Sequence, residues 1–435
     1  MKNLKKLISL DNPIRMIYHK IKAIIAAYYY GFPASDMIVI GITGTNGKTT
    51  TTNIVARALR EAGERVFMFS TINYMINGVE YVNNFKMTTP SPFLLQKLLK
   101  EAKDAGCKYA VIETSSHSLF YSRVWGIDYD IAVLTNVTQD HLDLHGTMEN
   151  YVKTKLELFR NLIRFKRKQG IKKTAIINYD SAYKDLFLNE TYDSLYTYGS
   201  DLKVDLRAEN IENKFDGTSF SIRIAGNEIS INTRLRGDFN IYNIMAAIGV
   251  LLSLAIQPKV IEKAISNITF IAGRLEEVEN IEGIKIFVDY AHTADALENV
   301  LQTIRKIEGI NKIITVFGAT GDRDKTKRPI MGKVVSDLSD VVILTQDDDY
   351  SEKTEDIIDD VRPGIDRKEG EDFWIITDRE NAIKTAIIMR KPGDVVLVAG
   401  KGDEHLMITN QGPIIWHDKD IIGKILNEID ENKIV

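Results

Sequence analysis

The stretch GITGTNGKTTT, residues 41–51, decides how this chain is read. It follows the apolar run MIVIG and opens the segment TTTTNIVARALREAG, whose apolar residues recur at helical spacing. A strand, a glycine-rich turn and a helix in that order aim backbone N–H groups and a helix N-terminus at one point, which suits phosphate oxygens. Gly44, Thr45, Asn46 and Gly47 make the turn. Lys48 would neutralise β- and γ-phosphates, Thr49 would ligate Mg²⁺, and Thr50 completes the candidate nucleotide set. The spacing departs from the commonest pattern, because Ile42 stands where its first glycine belongs.

Outward from that turn, YAVIETSS (109–116) and IAVLTNV (131–137) are further apolar strands ending in polar residues. Strands alternating with helices predict an α/β fold with a mostly parallel sheet and a site at the strand C-terminal ends. The segment 178–233 alternates more strictly, as in SFSIRIAGNEISI, and reads as an antiparallel portion of the same domain. A second α/β unit begins near AGRLEEV, with strands KIFVDYA, KIITVFGATG, VVILTQ, FWIIT and DVVLVAG. The expected organisation is a short N-terminal helical segment (1–36), a central ATP-binding P-loop domain (37–271) and a C-terminal Rossmann-like domain (272–435).

Composition bounds the rest. At 435 residues and 44% hydrophobic, the chain is too long for one core. A formal net charge of −4 argues against a nucleic-acid partner. One cysteine, Cys107, excludes an intrachain disulfide and suits a reducing cytoplasm. Lys2, Lys5 and Lys6 resemble the start of a secretion signal, but Asp11, Asn12, Pro13 and Arg15 interrupt any apolar core behind them. The apolar stretch 23–32 is too short to span a bilayer. With Met16, Ile17 and Ile21 it reads as a helix packed on its own domain or a partner, or lying weakly on a membrane surface. RFKRKQGIKK (164–173) reads as a solvated helix end.

Glu113 ends one strand, and TNVTQDHLDLHG (135–146) carries Asn136, Asp140, His141 and His145. The i,i+4 histidines would suit zinc on a helix, but no HExxH pattern or cysteine ligand supports it. A carboxylate and an imidazole near a phosphate loop suit Mg²⁺ in a phosphoryl-transfer site. The triplet Asp347, Asp348, Asp349 in TQDDDYSEK (345–353) admits a metal, a helix cap or a cationic ligand.

The chain resembles the ATP-dependent Mur ligases that build the peptidoglycan stem peptide, most of all the tripeptide synthetases that add its third amino acid. The motifs are GITGTNGKTTT, MTTPSP, IETSSHSL, TNVTQDHLDLHGTMENYVKTKLELF, GDFNIYN, GRLEEV, DYAHTADAL, FGATGDRDKTKRPIMG, DRENAI and GKGDE, in family order from about residue 36 onward. The resemblance implies that Thr49, Glu113 and His141 hold Mg²⁺. It implies that Lys155 is carbamylated and holds a second Mg²⁺, with Lys48, Glu113, His141 and Lys155 catalytic. It implies that Asn240, Asn243, Arg274, Asp289 and His292 contact ATP, and that Thr88, Thr89, Ser115 and Arg123 contact the UDP-MurNAc-dipeptide. The amino acid's carboxylate and amine would meet Arg323, Gly400 and Glu404. The implied chemistry has two steps, an acyl phosphate formed from ATP and its capture by an amine.

Two departures qualify this. Members of the family carry an N-terminal domain for UDP, and only about 36 residues precede the ATP domain here. Folylpolyglutamate synthetases also lack that domain, so another acceptor is the alternative, and a non-catalytic ATP-binding protein is a remoter one. The second departure is the loop that selects the amino acid: Asp348 stands for an asparagine and Tyr350 for the arginine that would meet diaminopimelate. Like charges would disfavour a carboxylate-bearing side chain, so a basic or neutral third residue is expected. Asp403 stands for a histidine of GKGHE. Oligomeric state is not read from the sequence.

Overall fold

The computed structural model describes residues 13–214, 217–224, 227–279 and 283–433. Lys2, Lys5, Lys6, Asp11 and Asn12 lie outside them. The chain divides into two compact units, one from residues 1–212, 219–234 and 238–269, the other from 213–218, 235–237 and 270–435.

The first unit is built on eight strands: β1 (Ile38–Thr43), β2 (Val66–Phe69), β3 (Asn73–Ile76), β4 (Val79–Val82), β5 (Tyr109–Glu113), β6 (Ile131–Leu134), β7 (Thr174–Asn178) and β8 (Ser194–Tyr198). Their order is β4-β3-β2-β5-β1-β6-β7-β8. Neighbours from β2 to β8 pair in parallel, while β3 and β4 add antiparallel at one edge. β5 and β6 are buried along their whole length, as their unbroken apolar runs require in a sheet covered on both faces. β1 lies between β5 and β6, where the strand order reverses. Register sets Ile42 opposite Glu113 and Thr43 opposite Leu134, so three polar strand exits open at one switch point.

Helices follow the strands: α1 (Pro13–Tyr30), α2 (Lys48–Glu61), α3 (Pro92–Asp104), α4 (Ser116–Phe120), α5 (Leu142–His145), α6 (Met148–Arg164), α7 (Lys184–Leu188) and α8 (Asp238–Ser253). α1 packs on α3 and buries Ala23, Ala26 and Ala27, whose small side chains allow close approach. Its Ile14, Ile17, Tyr18, Ile21 and Ile25 remain exposed. α6 starts at Thr147, whose side chain accepts from Asn150 N, and its apolar face of Val152, Leu156, Phe159 and Leu162 joins the sheet core.

Two expectations need correction. β8 extends the main sheet in parallel, and only β9 (Ala208–Lys214), β10 (Gly217–Ile224) and β11 (Asn227–Thr233) form a separate three-stranded sheet. Alternation reports one buried face, not strand direction. The run 164–173 is not wholly solvated either. Lys168 Nζ and Lys173 Nζ lie 2.5 and 3.0 Å from the carboxylate of Asp130, which is buried, as Lys173 is. A charge run looks solvated in sequence until a buried counterion elsewhere, here 43 positions before Lys173, claims two of its members. Removing one partner of such a buried set costs about 3–5 kcal/mol.

The second unit has a six-stranded sheet from β12 (Glu276–Glu277), β13 (Lys285–Asp289), β14 (Ile313–Phe317), β15 (Val341–Leu344), β16 (Phe373–Ile375) and β17 (Val395–Ala399), in the order β12-β13-β17-β14-β15-β16. All pairings are parallel except β12–β13. Asp289 lies opposite Ala399 and Phe317 opposite Leu344, so the segments after β13, β14, β15 and β17 emerge at one edge. Among the described residues no helix is long and apolar enough to cross a membrane.

Candidate active site

In the first unit the turn after β1 is shaped by glycine. Gly47 has φ 82°, and a Cβ there would collide with Asn243 Oδ1 of α8. Gly44 lies so close to Thr135 Oγ1 that a side chain is excluded. The loop is held from β6: Asn46 N donates to Asn136 Oδ1 at 2.9 Å, and Thr45 N donates to Asn136 O at 3.0 Å. Lys48 Nζ donates to Thr45 O at 2.7 Å, folding the ammonium onto its own loop. Thr50 is buried behind the loop in the first turn of α2. On α8, Asn243 Nδ2 donates to Asn240 Oδ1 at 3.1 Å, and Thr51 Oγ1 lies 3.4 Å from Asn243 Oδ1.

Glu113 is the junction of the site. Its Oε2 accepts from Thr49 Oγ1 at 3.0 Å, Thr71 N at 2.7 Å and Thr71 Oγ1 at 3.0 Å. These contacts bring the N-terminus of α2, the exit of β2 and the end of β5 onto one buried carboxylate. A threonine hydroxyl beside a carboxylate oxygen is a hard-oxygen donor pair that fits Mg²⁺.

His141 has a left-handed backbone, φ 54°, and its Nε2 lies 3.3 Å from Asp140 Oδ2. The His117 ring stands edge-on to it with centroids 4.6 Å apart. Lys155, on α6, is almost wholly buried. Its Nζ donates to Gly44 O at 2.6 Å and sits 4.3 Å from the centroid of the Tyr151 ring. Burial pushes its ammonium well below the usual lysine range, and the charge of Lys48 adds to this. Sequence alone would place Lys155 on a helix surface; the fold puts it under the phosphate loop. A buried amine made neutral can add CO₂, so the side chain fits carbamylation. His145, buried near Lys155, is depressed to about 4, chiefly by burial, and is neutral at physiological pH.

On the acceptor side, Thr89 Oγ1 donates to Glu113 O at 2.8 Å and lies 3.2 Å from Ser115 Oγ. Thr88 Oγ1 is 3.1 Å from Thr71 Oγ1. Arg123 Nη1 approaches Thr89 O at 3.5 Å.

The second unit carries its own cluster. Asp289 accepts from Leu275 N at 2.6 Å and Ala291 N at 2.7 Å. Burial pushes it up to about 6 against the opposing pull of Arg274. Arg274 and His292 both lie on Tyr290, the guanidinium 4.6 Å from the ring centroid and His292 Nδ1 2.8 Å from the backbone oxygen. Lys401 Nζ donates to Asp348 Oδ1 at 2.6 Å and Glu404 Oε2 at 2.7 Å. Burial works against the Lys401 ammonium, but Glu404, Asp347 and Asp348 outweigh it and raise its pKa. Gly400, φ 114°, passes too close to Asp347 Oδ2 for any side chain.

This cluster qualifies one premise. Asp348 is partly compensated: Lys401 donates to it at 2.6 Å, but the same ammonium also serves Glu404 and lies 4.0 Å from Asp347, and Ile408 N donates to Asp348 at 2.8 Å. Tyr350 remains a departure: its backbone is left-handed, φ 53°, and Arg323 lies 5.2 Å from its ring centroid. Asp349 accepts from Thr354 Oγ1 at 3.0 Å, at the start of the helix Thr354–Val361, so it is tied to a helix start. Asp403 Oδ1 lies 3.3 Å from His417 Nε2, so an imidazole from another segment stands beside the replaced position.

Thr71 and His117 escaped the sequence reading. Thr71 follows β2 with no glycine or charge beside it. His117 lay within a quoted motif, and only its distance from His141 marks it.

The chain matches the model for the Mur ligase middle domain over residues 42–251 and that for the Mur ligase glutamate ligase domain over residues 273–402. It is 39% identical to the UDP-N-acetylmuramoyl-L-alanyl-D-glutamate–2,6-diaminopimelate ligase of Clostridium botulinum, across 94% of this chain and 82% of that one. It is 40% identical to the enzyme of the same name from Aquifex aeolicus, across 92% and 79%. A solved structure of a ligase of that name superposes with TM-score 0.61 at 30% identity, covering 91% of this chain and 79% of that one. Folylpolyglutamate synthase of Mycobacterium tuberculosis, solved with ADP and AMPPCP, shares the fold at TM-score 0.69 and 16% identity, covering 92% and 95%.

Proposed function

The chain belongs to the Mur ligase family, and from that membership we propose that it is the ATP-dependent ligase joining a third amino acid to UDP-MurNAc-L-Ala-D-Glu in peptidoglycan precursor synthesis. The observation that carries the reading is the meeting of Thr49, Thr71 and Glu113 at the switch point beside the phosphate loop. Thr49, Glu113 and His141 would hold Mg²⁺, and a carbamate on Lys155 would hold a second ion; the metals would neutralise charge on the phosphates. The loop N–H groups and Lys48 orient the γ-phosphate. The D-Glu side-chain carboxylate attacks it, ADP leaves, and an acyl phosphate remains. The amine of the incoming amino acid attacks the acyl carbon, and phosphate leaves. The protein's contribution is positioning and charge stabilisation.

Arg274, Asp289 and His292 would contribute to ATP binding, and Arg323, Gly400 and Glu404 to the amino acid. For that amino acid we favour a basic or neutral side chain, although the named relatives use diaminopimelate. Lys401, shared with Glu404, offsets Asp348 only in part, and the further support is Tyr350, whose ring already faces one cation and offers no guanidinium to a distal carboxylate. The use of ATP points to the cytoplasm, and the exposed isoleucines of α1 beside Lys20 and Lys22 support weak contact with an anionic membrane surface. The experiment is a panel of amino acids with UDP-MurNAc-L-Ala-D-Glu, ATP and Mg²⁺, read by phosphate release and product mass. Absence of product with every amino acid overturns the acceptor, and product with meso-diaminopimelate alone overturns the side-chain preference.

A further inference from the structure

Tyr121, directly after α4, is buried, and two guanidinium groups share its ring. Arg15, in the first turn of α1, lies 5.5 Å from the ring centroid, and Arg123 lies 5.7 Å from it. The His19 ring of α1 touches Tyr121 as well, at 4.8 Å. Among the described residues neither arginine is paired with a carboxylate, and α1 contains no aspartate or glutamate from Pro13 to Tyr30. Two partly buried like charges on one ring repel each other; burial and Arg15 both act to lower the pKa of Arg123. Stacking fixes both groups in place and leaves most of their N–H donors to spare, Arg123 Nη1 meeting only Thr89 O at 3.5 Å, an arrangement pre-set for an anion.

The position of the pair says which anion. From the phosphate loop the contacts run outward in order. Thr49 meets the Glu113 carboxylate, Glu113 O meets Thr89, Thr89 O meets Arg123, and Arg123 shares Tyr121 with Arg15. An acceptor whose D-Glu carboxylate reaches the loop extends its other end along this line. That end carries a diphosphate, whose two phosphates offer anionic oxygens to both guanidinium groups.

We propose that Arg15 and Arg123, held on Tyr121, form a diphosphate-binding clamp for the nucleotide end of the acceptor, with Arg15 of α1 as a binding residue. This rests on the acceptor proposed above, and the test separates the two. KM and kcat are measured for wild type, Arg15→Ala and Arg15→Lys with UDP-MurNAc-L-Ala-D-Glu and with MurNAc-L-Ala-D-Glu, which lacks the nucleotide. In parallel, UDP and uridine binding are measured by calorimetry.

For Arg15→Ala, KM for the nucleotide acceptor rises about tenfold or more, the scale of one lost charge-assisted contact. Its kcat, its KM for ATP and its KM for the nucleotide-free acceptor stay unchanged, and Arg15→Lys recovers part of the loss. An unchanged KM for the nucleotide acceptor, or an equal rise for both acceptors, overturns the clamp. If wild type turns over neither acceptor, the proposed function falls and calorimetry alone decides. Weaker UDP binding in Arg15→Ala with uridine unaltered then upholds the clamp, and equal UDP binding overturns it.

Discussion

Lys155 Nζ donates a 2.6 Å hydrogen bond to the carbonyl oxygen of Gly44, 111 positions earlier in the chain. The contact ties the middle of α6 to the first residue of the phosphate loop and places a buried amine beneath that loop. If that amine is carbamylated, Lys155→Ala lowers kcat by about 10²–10³-fold, the scale of losing one fixed electrostatic group. A short carboxylate such as acetate then restores part of the rate, and Lys155→Arg is inactive and not rescued. Carbon-13 NMR of the protein equilibrated with labelled bicarbonate shows a carbamate signal that Lys155→Ala lacks. No such signal, together with a fully active Lys155→Arg, would sink the assignment.

Glu113 and Thr71 separate charge from orientation. Glu113→Ala removes the carboxylate on which α2, β2 and β5 converge, and ADP formation drops about 10²–10³-fold. Thr71→Val keeps the backbone donor at 2.7 Å and loses only the hydroxyl at 3.0 Å. Its expected effect is smaller, about tenfold or less, since one neutral hydrogen bond is worth about 1 kcal/mol. ADP release across a Mg²⁺ titration measures both. A Glu113→Ala protein that forms ADP at the wild-type rate contradicts the site.

What the sequence disclosed follows from the same geometry. β1, β5, β6 and, in the second unit, β13, β14, β15 and β17 are largely buried apolar runs, and these features survive without any knowledge of pairing. The loop Gly44–Gly47 was legible because glycine has few other reasons to cluster between a strand and a helix. Thr71 was not legible, because a threonine after a short strand becomes a ligand-site residue only when β2 is laid beside β5. Lys168 and Lys173 misled for a related reason: their partner Asp130 lies in a different segment, and burial is a property of the pair. The Asp348–Lys401 bond, spanning 53 positions, was hidden in the same way and weakens, without removing, the charge argument built on Asp348 alone.

Asp289 couples protonation to stability in the second unit. Its pKa rises from 3.8 unfolded to about 6 folded, with burial the main cause. A raised folded pKa means that the native state binds the proton more tightly. The contribution is therefore full below about pH 4 and is lost as pH rises through about 6, by at most about 3 kcal/mol. Asp289→Asn removes the titration but keeps one acceptor for the two backbone donors. Denaturant midpoints at pH 4.5 and 7.5, conditions chosen at about either side of the folded value, should fall more in wild type than in Asp289→Asn. Equal slopes in the two proteins would mean that Asp289 stays ionised throughout.

Tyr350 offers the sharpest test of amino-acid choice. Lys401 is shared among Asp348, Glu404 and Asp347, so Asp348 keeps part of its charge and part of its bias against a distal carboxylate. What separates lysine from diaminopimelate further is whether the distal carboxylate finds a guanidinium beside Arg323. Tyr350→Arg supplies one at a position whose left-handed backbone, φ 53°, any residue but glycine must tolerate. A charge-assisted guanidinium–carboxylate pair is worth about 1.5–3 kcal/mol, so kcat/KM for meso-diaminopimelate relative to lysine should rise about 10–100-fold. The same substitution sets a guanidinium against the ammonium of lysine, so activity with lysine should drop. Competition between the two amino acids, with products separated by mass, measures the ratio directly. If Tyr350→Arg leaves it unchanged, selection lies elsewhere in the unit.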